Sequence, residues 1–412
     1  MPLGLEKGCL LEMKPIFAKG LFILLLLVLV GAGVSHVTKH FIDYPVYETA
    51  ALKVLKGDVS NLYDLKRNIP GGYYYPYFFA LAFSPFAAMG NVLGKWSFLV
   101  LFFCCYAFVL AFSLKMAKSF SSIGSIYGFL SVLILLSTYS FNDALMNANI
   151  GLILLALCIA AYKVSDRSWF LASLFMAVAI SFKIYPVIVL CYFVWRKDWK
   201  LVLMTCLLTC GLMYGLPILI YGFNRGVELA SNQYFVLSHF GNHWPYDSHV
   251  FQNIPATAMR LAELVHLNKS KAFDLSFGLS GILILAFFCK SFLTRRTENA
   301  KGFQDRMFVI SLALVPMFVP VSWYNMGLFY LPLLGCVVAE SFEKKERFNT
   351  ICLTAYVLFY CLCTPDIIGR PLNYWLAFRG FPFWGVFLIA LAFGRQTWLN
   401  YQEKFILGKT IT

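Results

Sequence analysis

The chain has 412 residues, of which 60% are hydrophobic, 18% aromatic and only 13% charged. A soluble domain has to cover its surface with charge, so this composition excludes an ordinary soluble protein. The net charge of +14 would suggest nucleic acid as a partner of a soluble protein, but most Lys and Arg lie in short clusters between apolar runs. Such clusters orient membrane helices, so we expect no nucleic-acid partner.

Apolar runs of the length that a hydrocarbon core of ~30 Å requires recur along the whole chain. They predict an all-α polytopic membrane protein, a single domain over residues 1–412, with both termini in the cytoplasm. About twelve spans are predicted, at residues 17–37, 73–91, 96–116, 123–141, 146–163, 168–195, 199–222, 275–293, 306–321, 325–341, 349–365 and 380–398. The first run also resembles a secretory signal, but its length and the spans that follow favour a retained helix.

Basic clusters set the predicted orientation, and the clearest ones should face the cytoplasm: Arg196, Lys197 and Lys200; Lys290, Arg295, Arg296, Lys301 and Arg306; and Lys344, Lys345 and Arg347. Two large loops, at about 38–72 and 223–274, then face the exterior together. Four basic residues break the rule by falling outside, which leaves a different pairing of the third to sixth helices open: Lys115, Lys118, Lys163 and Arg167. All twelve Cys lie in apolar segments or the N-terminal tail, so no disulfide framework is predicted.

The first external loop opens with HFIDYPVYETAALKVLKGD, at residues 40–58. Its apolar residues recur at steps of three and four, which predicts an amphipathic helix lying on the outer leaflet. Asp43 precedes that helix, where a short acidic residue is a typical N-cap. A carboxylate at this junction can equally act on a molecule at the membrane surface, and these residues alone leave both interpretations open. The aromatic cluster Tyr73–Tyr77 that follows is typical of an interfacial belt.

Several short stretches taken in order resemble one known family. They are Asp43, Tyr47, Ala50-Ala51, Gly57 and Leu62-Tyr63, then YYYPY and SPF, SFKIYPVIVLCYFVWRKDW at 181–199 and VPVSWYNMGLFYLPLL at 319–334. This order resembles glycosyltransferase family 87, the bacterial polyprenyl-phosphate-mannose-dependent mannosyltransferases. Three positions depart from the family pattern: Tyr77 replaces a second proline, Tyr324-Asn325-Met326 stand where a His is expected, and Phe251-Gln252-Asn253 replace Asn-Gln-Ser.

The resemblance implies a membrane-embedded fold of the C type (GT-C), with an external active site in the cytoplasmic membrane of a bacterium. It implies a polyprenyl-phosphate sugar donor, no cofactor and no metal. The implied reaction transfers a hexose, mannose in the best-known members, to an external glycolipid or glycan with inversion, and Asp43 is the implied catalytic base. A base in this reaction has to reach the acceptor hydroxyl whose proton it removes.

Further residues are candidates for substrate contact. Lys183 falls inside a predicted span, where an ionisable group is costly and is by default functional, so it is predicted to bind the donor phosphate. Arg260 is predicted to contact the same phosphate or anionic lipid, and Glu48 is the nearest acid to Asp43. Weaker predictions of substrate contact fall on Glu48, Tyr47, Tyr75, Gln252, Asn253, His243 and Trp323.

The segment SHFGNHWPYDSH raises a metal site, because it carries His239, His243, Asp247 and His249. Gly241 and Pro245 interrupt any helix there, and no metal is predicted.

A transporter, or a flippase for lipid-linked sugars, is the alternative function, since such proteins place ionisable residues near the bilayer midplane. The scarcity of acids in the predicted spans and the two large loops on one face favour chemistry at a surface.

Overall fold

The computed structural model describes residues 14–39, 41–59, 62–63, 72–120, 123–238, 248, 250–294, 301–319, 322–344 and 346–409. The regular structure of these residues is helical throughout. The α-helices are α1 Pro15–Lys39, α2 Tyr44–Leu55, α3 Tyr77–Ala88, α4 Gly90–Phe120, α5 Ile126–Met146, α6 Gly151–Ser165, α7 Trp169–Phe182, α8 Leu190–Trp195, α9 Trp199–Cys210, α10 Leu216–Tyr221, α11 Phe223–Ser238, α12 Ile254–Leu264, α13 Lys269–Thr294, α14 Lys301–Phe318, α15 Leu331–Lys344, α16 Arg347–Tyr356, α17 Pro365–Ile368, α18 Arg370–Phe378 and α19 Phe381–Lys409. Short 3₁₀ segments precede α8 and α15, at Tyr185–Val189 and Tyr324–Tyr330, and π-helical turns follow α9 and α16.

Two compact units divide the chain. Unit 1 comprises residues 1–32, 108–142 and 247–412, and unit 2 comprises residues 33–107 and 143–246. The long helices α1, α4 and α5 contribute residues to both units.

The described helices have the character of a membrane protein. Five are long and apolar enough to cross a bilayer, or six if the bent pair α18 and α19 forms one span. The five are α1, α4, α5, the continuous α9–α10 segment Trp199–Tyr221 and the segment Tyr324–Glu343. Each predicted span overlaps helical residues, so the all-α membrane class is confirmed, whereas the count of twelve stays a prediction.

The predicted span 168–195 is wrong as a single helix, because the chain reverses inside it. Pro186 lacks an amide donor and disfavours helical geometry before it, so α7 ends at Phe182 and Lys183 is extended, with φ −159° and ψ 133°. The two ends of the segment then meet, since the Arg196 guanidinium lies 2.9 Å from Asp166 Oδ1 and 3.1 Å from Ser165 Oγ. Residues 169–195 therefore form a hairpin with Lys183 near its tip.

The predicted span 73–91 is also too long. The helix observed there, α3, has 12 residues, which at 1.5 Å per residue is about 18 Å and too short for a hydrocarbon core. Gly90 adopts a φ of +77°, which allows the chain to turn directly into α4. Gly94 lies so close to the Phe86 carbonyl and the Tyr44 hydroxyl that a Cβ would clash with both. The start of α4 is therefore held against α2 and α3.

One residue of a predicted cytoplasmic cluster is buried instead of solvated. Arg306, 5% exposed, forms an ion pair with Glu340, which is fully buried. Its guanidinium also lies 4.0 Å from the ring centre of Phe120 and 5.3 Å from that of Phe393. Burying such a pair costs the free energy of desolvating both charges. Removing one partner strongly destabilises the fold, because the other charge is left buried and unpaired. Arg306 therefore joins α4, α14, α15 and α19 inside unit 1.

Candidate active site

Asp43 is held at the start of α2 by main-chain hydrogen bonds. The amides of Ile42 and Asp43 donate to the carbonyls of Met146 and Asn147, at 3.1 and 3.2 Å. Asp43 occupies the N-cap position of α2, yet its carboxylate accepts no capping hydrogen bond from the helix. The capping interpretation of Asp43 therefore describes its position but leaves its carboxylate available for another partner.

Two tyrosines form a hydrogen-bonded chain that ends at this carboxylate. The Tyr47 hydroxyl donates to Asp43 Oδ2 at 3.4 Å, and the Tyr47 and Tyr75 hydroxyls lie 3.0 Å apart. The Tyr47 ring packs edge-on against the rings of Tyr75 and Phe79, with centroids 5.2 and 4.9 Å away. Tyr47 is fully buried and Tyr75 is buried as well. Tyr75, which the sequence assigned to an aromatic belt, is therefore part of a packed cluster around Asp43.

The neighbouring loops fix Tyr75 from the other side. The Tyr63 hydroxyl lies 3.0 Å from the Tyr75 carbonyl and 3.3 Å from Gln233 Oε1, so its single proton is shared between these two acceptors. The same Gln233 oxygen accepts from the Tyr77 amide at 2.8 Å. Tyr77 stands where the family pattern has a proline, and its hydroxyl donates to the Tyr221 hydroxyl at 3.2 Å. The two predicted external loops thus contact each other inside unit 2.

Lys183 brings a positive charge to the same cluster from the hairpin tip. Its Nζ lies 5.0 Å from the ring centre of Tyr75 and 5.2 Å from that of Tyr185, within cation–π range. Lys183 and Asp43 interact through their charges without the contact distance of an ion pair. Asp43, Tyr47, Tyr75 and Lys183, four of the predicted site residues, are therefore brought together in unit 2.

The electrostatics of Asp43 follow from its half-buried position. Burial raises the pKa of its carboxyl above the ordinary value of 3.8, because desolvation penalises the charged form. The positive charge of Lys183 and the Tyr47 hydrogen bond act in the opposite direction, each lowering the pKa of Asp43. A base whose pKa is raised binds a proton more strongly, and Lys183 limits how far that rise goes.

Tyr185 belongs to this cluster although it was not among the predicted site residues. Its hydroxyl oxygen is buried and has no hydrogen-bond partner among the residues that the structure describes. A buried unpaired hydroxyl is costly, so its presence beside an ammonium group needs an explanation. The only sequence sign was its place two residues after Lys183 and directly before Pro186.

Glu48, the acidic rival of Asp43, is half-buried on another face of α2. Its charge acts on Tyr44, while that of Asp43 acts on Tyr47 and Tyr75. Glu48 therefore has a different set of neighbours from the Asp43 cluster.

Four other predicted residues belong to unit 1: Gln252, Asn253, Arg260 and Trp323. Arg260 holds a loop of this unit together. Its guanidinium is fully buried and donates to the carbonyls of Phe378, Ser248 and Phe251 at 2.8 Å each. It also donates to Thr257 Oγ1 at 3.1 Å. These contacts are to protein oxygens, and the predicted phosphate contact of Arg260 stays a prediction.

The side chains of Gln252 and Asn253 also form hydrogen bonds to main-chain groups. Gln252 donates from Nε2 to the Ala377 carbonyl and accepts from the Phe383 amide, both at 3.2 Å. Asn253 caps α12, because its Oδ1 accepts from the Ala256 amide at 2.7 Å.

Two predicted substrate-contact residues remain, Trp323 and His243. Trp323 packs edge-on against Phe251, with ring centroids 5.4 Å apart. His243 and the rest of the proposed histidine segment 239–247 and 249 lie outside the described residues.

The helices define an all-α membrane protein, and a partly buried carboxylate near an ammonium group is an arrangement suited to group transfer. The model of glycosyltransferase family 87 matches residues 73–322, more than half of the chain. The protein therefore belongs to glycosyltransferase family 87 and is a membrane glycosyltransferase, which confirms the resemblance. No curated protein and no solved structure gives a significant match. The matched residues include Tyr75, Lys183, Tyr185 and Arg260, whereas Asp43 precedes them.

Proposed function

We propose that this glycosyltransferase transfers a hexose, with mannose the expected sugar, from a polyprenyl-phosphate donor to an external glycolipid or glycan. The acceptor hydroxyl oxygen bonds to the anomeric carbon while the bond from that carbon to the phosphate oxygen breaks, with inversion. The hydroxyl proton passes to Asp43, and the phosphate leaves with the bonding electron pair. No cofactor or metal takes part in the proposal.

The observation that carries the proposal is the state of the Asp43 carboxylate. It sits at a helix start without capping the helix, has a raised pKa and is approached by the charge of Lys183. A general base of this kind commonly contributes 10²–10⁴-fold in rate. Glu48, with other neighbours, is the weaker candidate.

Lys183 and Tyr185 supply the donors that a leaving phosphate requires. The ammonium of Lys183 offers a positive charge to the growing negative charge, and the Tyr185 hydroxyl offers a hydrogen bond that no described protein group accepts. Phosphate binding by Arg260 remains a separate prediction that its contacts do not favour, because its donors face protein oxygens. Substrate contacts of Tyr47, Tyr75, Gln252, Asn253, His243 and Trp323 also remain predictions.

The hairpin supports a revised membrane layout. If neither α3 nor the hairpin of α7 and α8 crosses the bilayer completely, about ten of the predicted spans remain, the hairpin returns to the side from which it enters, and both termini stay cytoplasmic. The turn after α6 then shares the cytoplasmic side with Arg196, and the last turn of α4 faces that side too. The four basic residues that broke the rule now obey it: Lys115, Lys118, Lys163 and Arg167. Asp43 would face the exterior of the cytoplasmic membrane of a bacterium.

Purified protein in lipid vesicles with radiolabelled polyprenyl-phosphate-mannose and a membrane glycolipid extract tests the function. Transfer by the wild type and its loss in folded Asp43→Asn would support the enzyme and its base together. Transfer that survives the substitution would remove Asp43 from the mechanism. Movement of the lipid-linked sugar across the bilayer, with no transfer from any lipid-linked sugar, would support the flippase alternative instead.

A further inference from the structure

A cavity of about 210 Å³ lies at the opposite end of α2 from Asp43, inside unit 2. The turn after α2 forms one wall and one face of α11 forms the other. The lining residues are Gly57, Asp58, Val59, Arg225, Glu228, Leu229 and Asn232. At ~30 Å³ for each water in the liquid, the cavity has the volume of roughly seven waters, which suits a small ring rather than a long chain.

The turn that forms the first wall is fixed by the end of α2. The Gly57 amide donates to the Val54 carbonyl at 3.1 Å, and the Asp58 amide donates to the Lys53 carbonyl at 3.0 Å. This pair of bonds is a Schellman motif, which needs a left-handed residue, and Gly57 has a φ of +71°. The second wall is fixed as well, because Gly226 crosses the Ile218 backbone so closely that a Cβ would clash.

The lining chemistry points to a hydroxyl-rich ligand. Arg225, Glu228 and Asn232 lie at steps of three and four and so share one face of α11. Neither Arg225 nor Glu228 forms an ion pair with any residue that the structure describes, although their spacing would allow one. Donors and acceptors therefore stand side by side, which matches the paired donor and acceptor character of sugar hydroxyls.

Two other ligand classes fit the cavity less well. The carboxylates of Asp58 and Glu228 would repel a phosphate or other anion, and the described residues add no third His, Cys, Asp or Glu with which to hold a metal ion. Buried Val59 and Leu229, 5% and 3% exposed, give the cavity an apolar floor on which the carbon face of a sugar ring can rest.

The cavity lies too far from Asp43 to hold the sugar that reacts. Gly57 lies fourteen positions after Asp43, which at 1.5 Å per residue is about 21 Å along α2. An acceptor that reaches both places has to be an extended chain of several sugars. Binding energy from such a remote part of a substrate can be used at the reacting centre.

We propose that this α2–α11 cavity binds one sugar of an oligosaccharide acceptor, several units from the hydroxyl that receives the hexose. The proposal rests on the proposed function, and it names the acceptor class as a glycan long enough to span α2. It also assigns to Asn232 and Glu228 the selection of long acceptors over short ones.

Transfer to two acceptors tests the selection: a glycolipid with one sugar and one with a chain of several sugars. We expect Asn232→Ala and Glu228→Gln to raise KM for the long acceptor about tenfold, as for the loss of a hydrogen bond worth ~1.4 kcal/mol, and to leave KM for the short one unchanged. Asn224→Ala, on the same helix outside the cavity, is the matched control and should change neither value. Equal effects on both acceptors, or none on either, would overturn the proposal.

Direct binding separates this inference from the proposed function. A soluble oligomannose chain is titrated into the Asp43→Asn protein with and without Asn232→Ala, and binding is followed by calorimetry. Binding lost with Asn232→Ala supports the cavity even if the wild type transfers no sugar. Binding unchanged by Asn232→Ala, or absent while the wild type transfers to long acceptors, overturns the cavity and leaves the proposed function standing.

Discussion

The Tyr47 hydroxyl donates to Asp43 Oδ2 at 3.4 Å from one turn further along α2. A phenol has a single proton, so the Tyr75 hydroxyl, 3.0 Å from that of Tyr47, donates to Tyr47 in this arrangement. Both protons therefore point along the chain toward the carboxylate. In the proposed mechanism, this long contact allows Asp43 to accept a stronger hydrogen bond from an acceptor hydroxyl.

Asp43→Asn is expected to lower kcat by about 10²–10⁴-fold, because the amide keeps the shape of the side chain but cannot take the proton. Single-turnover transfer measured in lipid vesicles checks this. Glu48→Gln is the matched control and should retain most of the activity. If the two variants have their effects reversed, Glu48 is the base.

The rate should fall on the acid side of the pH profile at a pH above the ordinary Asp pKa of 3.8. Asp43 has to be ionised to act, and burial raises its pKa, so activity is lost as the pH falls through that raised value. Lys183→Gln removes a charge that lowers this pKa, so the acid limb of kcat/KM should move to higher pH. Lys183→Arg keeps the charge and should keep the limb in place. An acid limb that does not move in Lys183→Gln would show that Lys183 has no influence on the base.

Tyr185→Phe should weaken donor binding without weakening the fold. A hydrogen bond to a charged phosphate is worth ~1.5–3 kcal/mol, so KM for the donor should rise roughly tenfold or more. The hydroxyl has no described partner, so its removal should leave the thermal unfolding temperature unchanged or raise it.

Tyr63→Phe supplies the contrast for Tyr185→Phe. Its hydroxyl is bonded to the Tyr75 carbonyl and Gln233, so this variant should unfold at a lower temperature. A Tyr185→Phe protein that is destabilised while its donor KM is unchanged would identify the hydroxyl as structural.

Arg260→Met should unfold more readily than the wild type. The substitution leaves the buried Phe251 carbonyl and the part-buried Phe378 and Ser248 carbonyls without their donor, at a cost of up to ~1–3 kcal/mol for each unpaired group. Thermal unfolding in detergent measures the loss, and exposed Arg370→Met is the control. A stable Arg260→Met protein with a raised donor KM would instead support the phosphate contact that the sequence predicts.

The helices could be predicted because length and apolar composition specify a membrane helix locally. The reversals at Lys183 and Gly90 could not, since an apolar run has the same composition whether the chain continues or turns back. Pro186 was the local sign of the first reversal, and the ion pair of Arg196 with Asp166 identifies it only in three dimensions.

The candidate site divides in the same way. The order of the short motifs predicts Asp43, Tyr47, Tyr75 and Lys183 as site residues, and the structure places these four in one cluster. Tyr185 could not be predicted, because its unpaired buried hydroxyl is recognised only once the positions of the surrounding atoms are known. The carbonyl partners of Arg260 belong to the main chain and so have no residue type that a pattern could reveal.

The main-chain bonds that hold Asp43 affect how this enzyme can change over generations. Residues 146 and 147 contribute carbonyl groups, which every amino acid possesses, so their side chains can vary while Asp43 keeps its place. Position 148 is less free to vary, because its φ of 50° is a left-handed conformation that few residue types other than glycine adopt readily. In the proposed mechanism, substitutions in this loop can therefore change the surroundings of Asp43 without displacing it, so that one reaction centre could be adapted to new acceptors.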